Sequence, residues 1–167
     1  MSNVKFLGQP VSLEGTFPEK GTPLPSVVLC SSKLATISFH DLLGKKVLLN
    51  IFPSIDTPVC ANSVRAFNEK VASLPNTTVL CISADLPFAA GRFCEIEKIA
   101  NVQHASLFRD LESARELGVL IADGALKNLA ARAVIVVDEH GIVTYSELVD
   151  EITNEPNYDA AMKALEA

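Results

Sequence analysis

Val47-Leu48-Leu49-Asn50-Ile51-Phe52, followed at once by Pro53-Ser54-Ile55-Asp56-Thr57-Pro58-Val59-Cys60, decides how the rest of the chain is read. The first six residues are too apolar for a half-exposed strand. They read as a strand covered on both faces, as in a parallel or mixed sheet. Pro53 stops that strand and shapes a loop. Thr57 is a good helix N-cap, and Pro58 stands at the first helical position, where its missing N–H costs nothing. Cys60, Val64, Phe67, Val71 and Leu74 then recur at helical spacing and define one buried stripe.

Working outward, residues 79–82 form a second buried strand, and Asp85-Leu86-Pro87 opens a helix carrying Phe93 and Cys94. A weaker strand at 105–108 and a short helix at 113–117 follow. Strands at 133–137 and 142–146 flank the turn Asp138-Glu139-His140-Gly141, and an amphipathic helix at 157–165 closes the chain. Upstream, residues 4–13 read as a β-hairpin around Gly8-Gln9-Pro10, and 27–30 is another apolar run. No repeat, charge block or long linker divides the sequence. The pattern predicts one α/β domain over residues 1–167, with a mixed central sheet flanked by helices and an N-terminal β-hairpin. A thioredoxin-like fold is compatible with this order of elements, but the order alone does not single it out.

Nearly half of the 167 residues are hydrophobic, enough to bury a core without disulfides or metal. The net charge of −6 argues against a general nucleic-acid binder, which needs clustered Lys and Arg. Met1 to Pro10 has neither a basic nor an apolar signal region, and no apolar run reaches membrane-spanning length. The expectation is a soluble, cytoplasmic protein with no membrane partner. Cysteines stand at 30, 60, 81 and 94 without Cys-x-x-Cys spacing, and His40, His104 and His140 are scattered, so a zinc site is poorly supported. Cys30 and Cys81, within apolar strands, read as packing thiols, and the three histidines as surface or turn residues. Asn76-Thr77-Thr78 reads as a chance match to a glycosylation sequon.

The chemistry gathers at Cys60. The thiolate is the reactive form of cysteine, and a helix start offers unpaired N–H groups and a positive dipole end to it. A fast reaction needs more: donors aimed at the oxygens on which negative charge develops, each contributing about 10² to 10³ in rate. Taken alone, Cys60 could equally be a small core residue, Cys94 a packed one, and Arg132 an ordinary exposed or strand-end arginine.

Residues 53–60 fit the Pro-x-x-x-Thr-x-x-Cys signature of peroxiredoxins. Residues 50–57, Leu80 to Phe88, Arg92-Phe93-Cys94, Leu129 to Ala133 and Val149 to Thr153 extend the resemblance over essentially the whole chain, and it is to the bacterial thiol peroxidase branch, an atypical two-cysteine group. The resemblance implies a thioredoxin-like fold. It places Cys60 on the peroxidatic cysteine and Cys94 on the resolving one. Thr57 falls on the residue whose hydroxyl bonds thiolate and peroxide, Pro53 on the proline shielding the site, and Arg132 on the guanidinium that activates peroxide. It further implies alkyl and lipid hydroperoxides as favoured substrates, thioredoxin as electron donor, a homodimer, and no metal or organic cofactor. Two rivals are a thiol–disulfide oxidoreductase, disfavoured by the missing Cys-x-x-Cys, and a redox sensor that hands its disulfide to a partner protein.

Overall fold

The structure, a computed structural model, describes residues 2–167. In chain order the elements are β1 (Asn3–Phe6), β2 (Gln9–Glu14), β3 (Val28–Ser31), β4 (Thr36–Ser38), α1 (Phe39–Leu42), β5 (Lys46–Ile51), α2 (Pro58–Lys70), β6 (Thr77–Ser83), α3 (Pro87–Ile96) and β7 (Gln103–Ser106). They continue as α4 (Glu112–Glu116), β8 (Leu120–Ile121), β9 (Ala133–Val137), β10 (Val143–Leu148) and α5 (Tyr158–Glu166). Seven strands make a central sheet in the order β10-β9-β5-β6-β7-β3-β4, and β1, β2 and β8 form a smaller one. β5 runs parallel to β6, and β6 to β7, while β9 lies antiparallel to β5. The sheet is therefore mixed.

The double coverage expected of residues 47–52 follows from this topology. Val47, Leu49 and Ile51 face one apolar cluster, together with Leu80, Ile82, Ala133 and Ile135. Leu48 and Phe52 face the other, where Cys60, Val64 and Phe67 of α2 pack with Val134, Val136 and residues of α5. The parallel crossovers β5-α2-β6 and β6-α3-β7 move the same way along the sheet, so their one permitted hand places both helices on the same face. Burying a side chain such as Phe67 contributes about 1.5–3 kcal/mol, which is how the helix stripe read from sequence holds α2 to the sheet.

Several expectations shift. The hairpin forms, but its turn is Leu7-Gly8, with φ of 52° and 79°, while Gln9 and Pro10 already pair with Phe6 and Lys5. Positive φ at both central residues is what a two-residue hairpin loop requires. β7 lies two residues earlier than expected. It ends where Ser106 pairs with Ser83, and the chain then turns outward, leaving Phe108 exposed. The short elements β4, α1 and β8 carried no clear sequence signal. His104 is not a surface or turn residue: it lies on β7 facing the helices and is buried. His40 and His140 are exposed, as expected. Cys30 and Cys81 are buried in their strands, and burial pushes the Cys81 thiol up to about 12.

Candidate active site

Ile51 of β5 pairs with Ala133, so the start of β9 lies at the C-terminal end of β5, beside the loop from Pro53 to Thr57. Strand alternation then decides which way Arg132 faces. Ala133 points to the cluster away from α2, so Arg132 and Val134 point toward α2. Arg132 is accordingly not the exposed arginine that its local sequence suggests; it is 2% exposed. Its Nη2 donates to Cys60 Sγ at 3.3 Å and its Nε to the Ile152 carbonyl at 2.7 Å. Its Nη1 has no partner among the described residues. A buried donor left unpaired costs about 1–3 kcal/mol or more, so this one stands out.

Cys60 sits in the first turn of α2, fully buried. Its carbonyl accepts from Ser63 Oγ at 2.7 Å, and Ser63 Oγ in turn accepts from Asn50 Nδ2 at 3.1 Å, tying this turn to the centre of β5. Thr57 occupies the N-cap position, but its side chain makes no capping bond. Instead its hydroxyl donates to the Ser54 carbonyl at 3.0 Å, closing the loop on itself. The hydroxyl's lone pairs remain able to accept a hydrogen bond.

Pro53, Thr57 and Arg132 line one cavity of about 220 Å³ with the apolar side chains of Phe6, Leu126 and Leu129. Cys60 does not line it; Arg132 is the link between cavity and sulfur. The N-terminal hairpin supports this wall. Lys5 N–H donates to the Asp150 carbonyl at 2.6 Å, and Ile152 N–H donates to the Lys5 carbonyl at 2.8 Å, so the hairpin fixes the carbonyl that holds Arg132. Glu151 adds two bonds from the hairpin turn, accepting from Leu7 and Gly8 N–H at 3.0 Å each. The Gly8 N–H, with further donors from Thr153 and Leu7, draws this carboxyl down to about 2.

The structure thus brings together Cys60, Arg132, Thr57 and Pro53, and leaves Cys94 elsewhere. Cys94 is half-buried on α3, on the wall of a separate cavity of about 510 Å³ that also touches His104 and Lys33. Burial pushes its thiol upward. All four cysteines are unbridged. Among the described residues, no three His, Cys, Asp or Glu side chains are grouped to hold a metal ion, and no helix is long and apolar enough to cross a membrane. Sequence reasoning missed Ile152, which acts through its backbone and so leaves no residue-type signal. It also missed the polar set Ser54, Asp85, Ser83 and His104, whose members come from three separate segments of the chain.

Known proteins resemble this chain over nearly its whole length. The Redoxin family model matches residues 19–162. Thiol peroxidase of Corynebacterium glutamicum is 52% identical over 165 residues, covering 99% of each chain. Thiol peroxidase of Vibrio cholerae is 51% identical over 162 residues, covering 97% of this chain and 99% of that one. Among solved structures, a peroxiredoxin-like protein from Aquifex aeolicus superposes with a TM-score of 0.93 at 40% identity, over 98% of this chain and 95% of that one. The fold is thioredoxin-like, and the chain belongs to the redoxin family, in the thiol peroxidase branch of the peroxiredoxins.

Proposed function

We propose that within this peroxidase activity Cys60 is the peroxidatic nucleophile, Arg132 and Thr57 hold the hydroperoxide, and Cys94 resolves the oxidised sulfur. One observation carries the reading: the buried guanidinium of Arg132, a residue that lines an apolar cavity, gives one arm to Cys60 Sγ and leaves the other unpaired. That free arm suits the oxygens of ROOH, on which negative charge develops as the O–O bond breaks. Arg is fitted to the task, since it keeps its proton and presents a rigid fork of donors. The lone pairs of the Thr57 hydroxyl can accept the hydroperoxide O–H, and Pro53 walls the site from water.

Cys60 thiolate attacks the distal oxygen, forming the S–O bond of a sulfenic acid and expelling RO⁻, which takes a proton to become ROH. The Cys94 thiol then attacks the Cys60 sulfur; the S–S bond forms and the hydroxyl leaves as water. Because Cys94 sits at another cavity, the first turn of α2, the segment around Phe93-Cys94, or both must unwind for this step, since a disulfide needs Cα atoms within about 7 Å. A dithiol returns two electrons, and thioredoxin is the donor that the family resemblance suggests. A transient, catalytic disulfide regenerated by a dithiol suits a reducing compartment such as the cytoplasm. The lining of Phe6, Leu126 and Leu129 suits the apolar body of alkyl and lipid hydroperoxides, with hydrogen peroxide a smaller guest. Exposed Leu86, Phe88 and Phe108 offer apolar surface for a homodimer.

The test is hydroperoxide-dependent NADPH oxidation with thioredoxin and its reductase. Wild type, Cys30→Ser and Cys81→Ser should turn over, cumene hydroperoxide faster than hydrogen peroxide, and Cys60→Ser should not. Retained turnover in Cys60→Ser would sink the assignment, and mass spectrometry pairing Cys60 with Cys81 would remove Cys94 from its role.

A further inference from the structure

The loop from Pro53 to Thr57 is held by a carboxylate on the neighbouring strand end. Asp85, just beyond β6, accepts from Ser54 Oγ at 2.8 Å, from Ile55 N–H at 2.7 Å and from Ser83 Oγ at 2.5 Å. Ser54 is also the residue whose carbonyl accepts both the hydroxyl and the N–H of Thr57. A single carboxylate therefore fixes the residue on which Thr57 closes, three positions before Cys60.

Asp85 is itself anchored from both sides. Its N–H reaches Ser83 Oγ at 3.3 Å, and its carbonyl accepts from Ser106 Oγ of β7 at 2.5 Å. Ser83 has one hydroxyl proton, and it goes to Asp85. The 2.8 Å contact between Ser83 Oγ and His104 Nε2 must then be a bond donated by the ring, which puts the His104 proton on Nε2. His104 is neutral, burial having pushed it down to about 4. Donors from His104 through Ser83 on one side and from the loop on the other thus converge on the Asp85 carboxylate, and the His104 end of the chain lies at the cavity that Cys94 also lines.

We propose that Asp85 is a positioning residue that holds the Pro53–Thr57 loop in its peroxide-reactive form and thereby sets how fast the Cys60–Cys94 disulfide can close. The inference rests on the peroxidase roles proposed above. Its physical content is a competition. The loop bonds must be kept for Thr57 and Arg132 to meet the hydroperoxide, and released, with the first turn of α2, for Cys94 to arrive. While they persist, the Cys60 sulfenic acid is exposed to a second hydroperoxide, which loses its distal oxygen to the same sulfur and leaves as ROH, giving sulfinic acid. A firm clamp speeds the first oxidation and slows resolution; a loosened clamp does the reverse.

Asp85→Asn replaces one of the acceptor oxygens by an NH₂ group while keeping the shape. Ser54→Ala removes one of the three bonds to Asp85, together with the bond that Ser54 Oγ accepts from Asp56 N–H at 3.2 Å within the loop, and touches neither β6 nor β7. The chain has no Trp to report by fluorescence, so reduced protein is mixed with cumene hydroperoxide, quenched at intervals, and its thiol, sulfenic, disulfide and sulfinic forms are counted by mass spectrometry. In Asp85→Asn the second-order constant for Cys60 oxidation should fall by about tenfold or more, as displacement of a reacting group commonly costs. The rate of disulfide closure should rise, and more hydroperoxide should be needed to reach half conversion to sulfinic acid. Ser54→Ala should move all three the same way by less, and it decides the matter if Asp85→Asn does not fold. Opposite movement of the two rates is what a merely structural role would not produce. Both rates unchanged within about twofold, or both falling together, would overturn the proposal. If wild-type Cys60 itself is not oxidised under these conditions, the peroxidase roles fail rather than the clamp alone.

Discussion

Acidification should destabilise this fold through His104. The ring lies on β7 between Phe52 and the helices, 5% exposed, and burial lowers it from 6.5 to about 4. Its Nε2–H is spent on Ser83, and Nδ1 has no partner in the described residues, so a second proton would be buried without an acceptor. Between those two values the unfolded chain binds a proton that the folded one refuses, so stability rises with pH there; it is fully present above 6.5 and lost as pH falls toward 4. Integrating the linkage from near pH 7 to near pH 5 gives a loss of about 2 kcal/mol from this one group. The assay is urea unfolding followed by far-UV circular dichroism, with reductant present, across that range for wild type and His104→Gln. Gln keeps an amide N–H for Ser83 and cannot titrate. Its lost packing lowers stability by an amount independent of pH, so the discriminating quantity is the slope and not the offset. Wild type should lose about 2 kcal/mol more than the variant over the interval. Parallel profiles for the two proteins would refute the argument.

Two other outcomes follow from the site. Arg132→Lys should slow oxidation of Cys60 by about 10²- to 10³-fold, because an ammonium cannot bond Ile152, Cys60 and peroxide with one planar fork; an unchanged second-order constant would take Arg132 out of the mechanism. One equivalent of hydroperoxide should lower amide-exchange protection in the first turn of α2 and around Phe93-Cys94 while β5 stays protected, and identical exchange before and after oxidation would exclude unwinding as the route to the disulfide.

The sequence by itself determined the elements whose signal is local. Residues 47–52 announce a strand buried on two faces because only double coverage tolerates such a run, and Pro58 with the spaced apolar residues after it announces α2. Pro53, Thr57 and Cys60 share one loop and one helix turn, so their grouping was legible, and family resemblance added Arg132 and Cys94. Tertiary structure alone decided the rest. Arg132 is 72 positions from Cys60, and it meets that sulfur only because β9 runs antiparallel to β5 and strand alternation turns the guanidinium toward α2. The Ile152 carbonyl, which orients that guanidinium, belongs to the backbone and is fixed by a hairpin at the other end of the chain. His104 looked like one scattered histidine among three; pairing of β7 with β6 buried it beside Ser83 and joined it to Asp85. In each case pairing between segments distant in the chain brings the two groups together, and no spacing within a single segment encodes that neighbour.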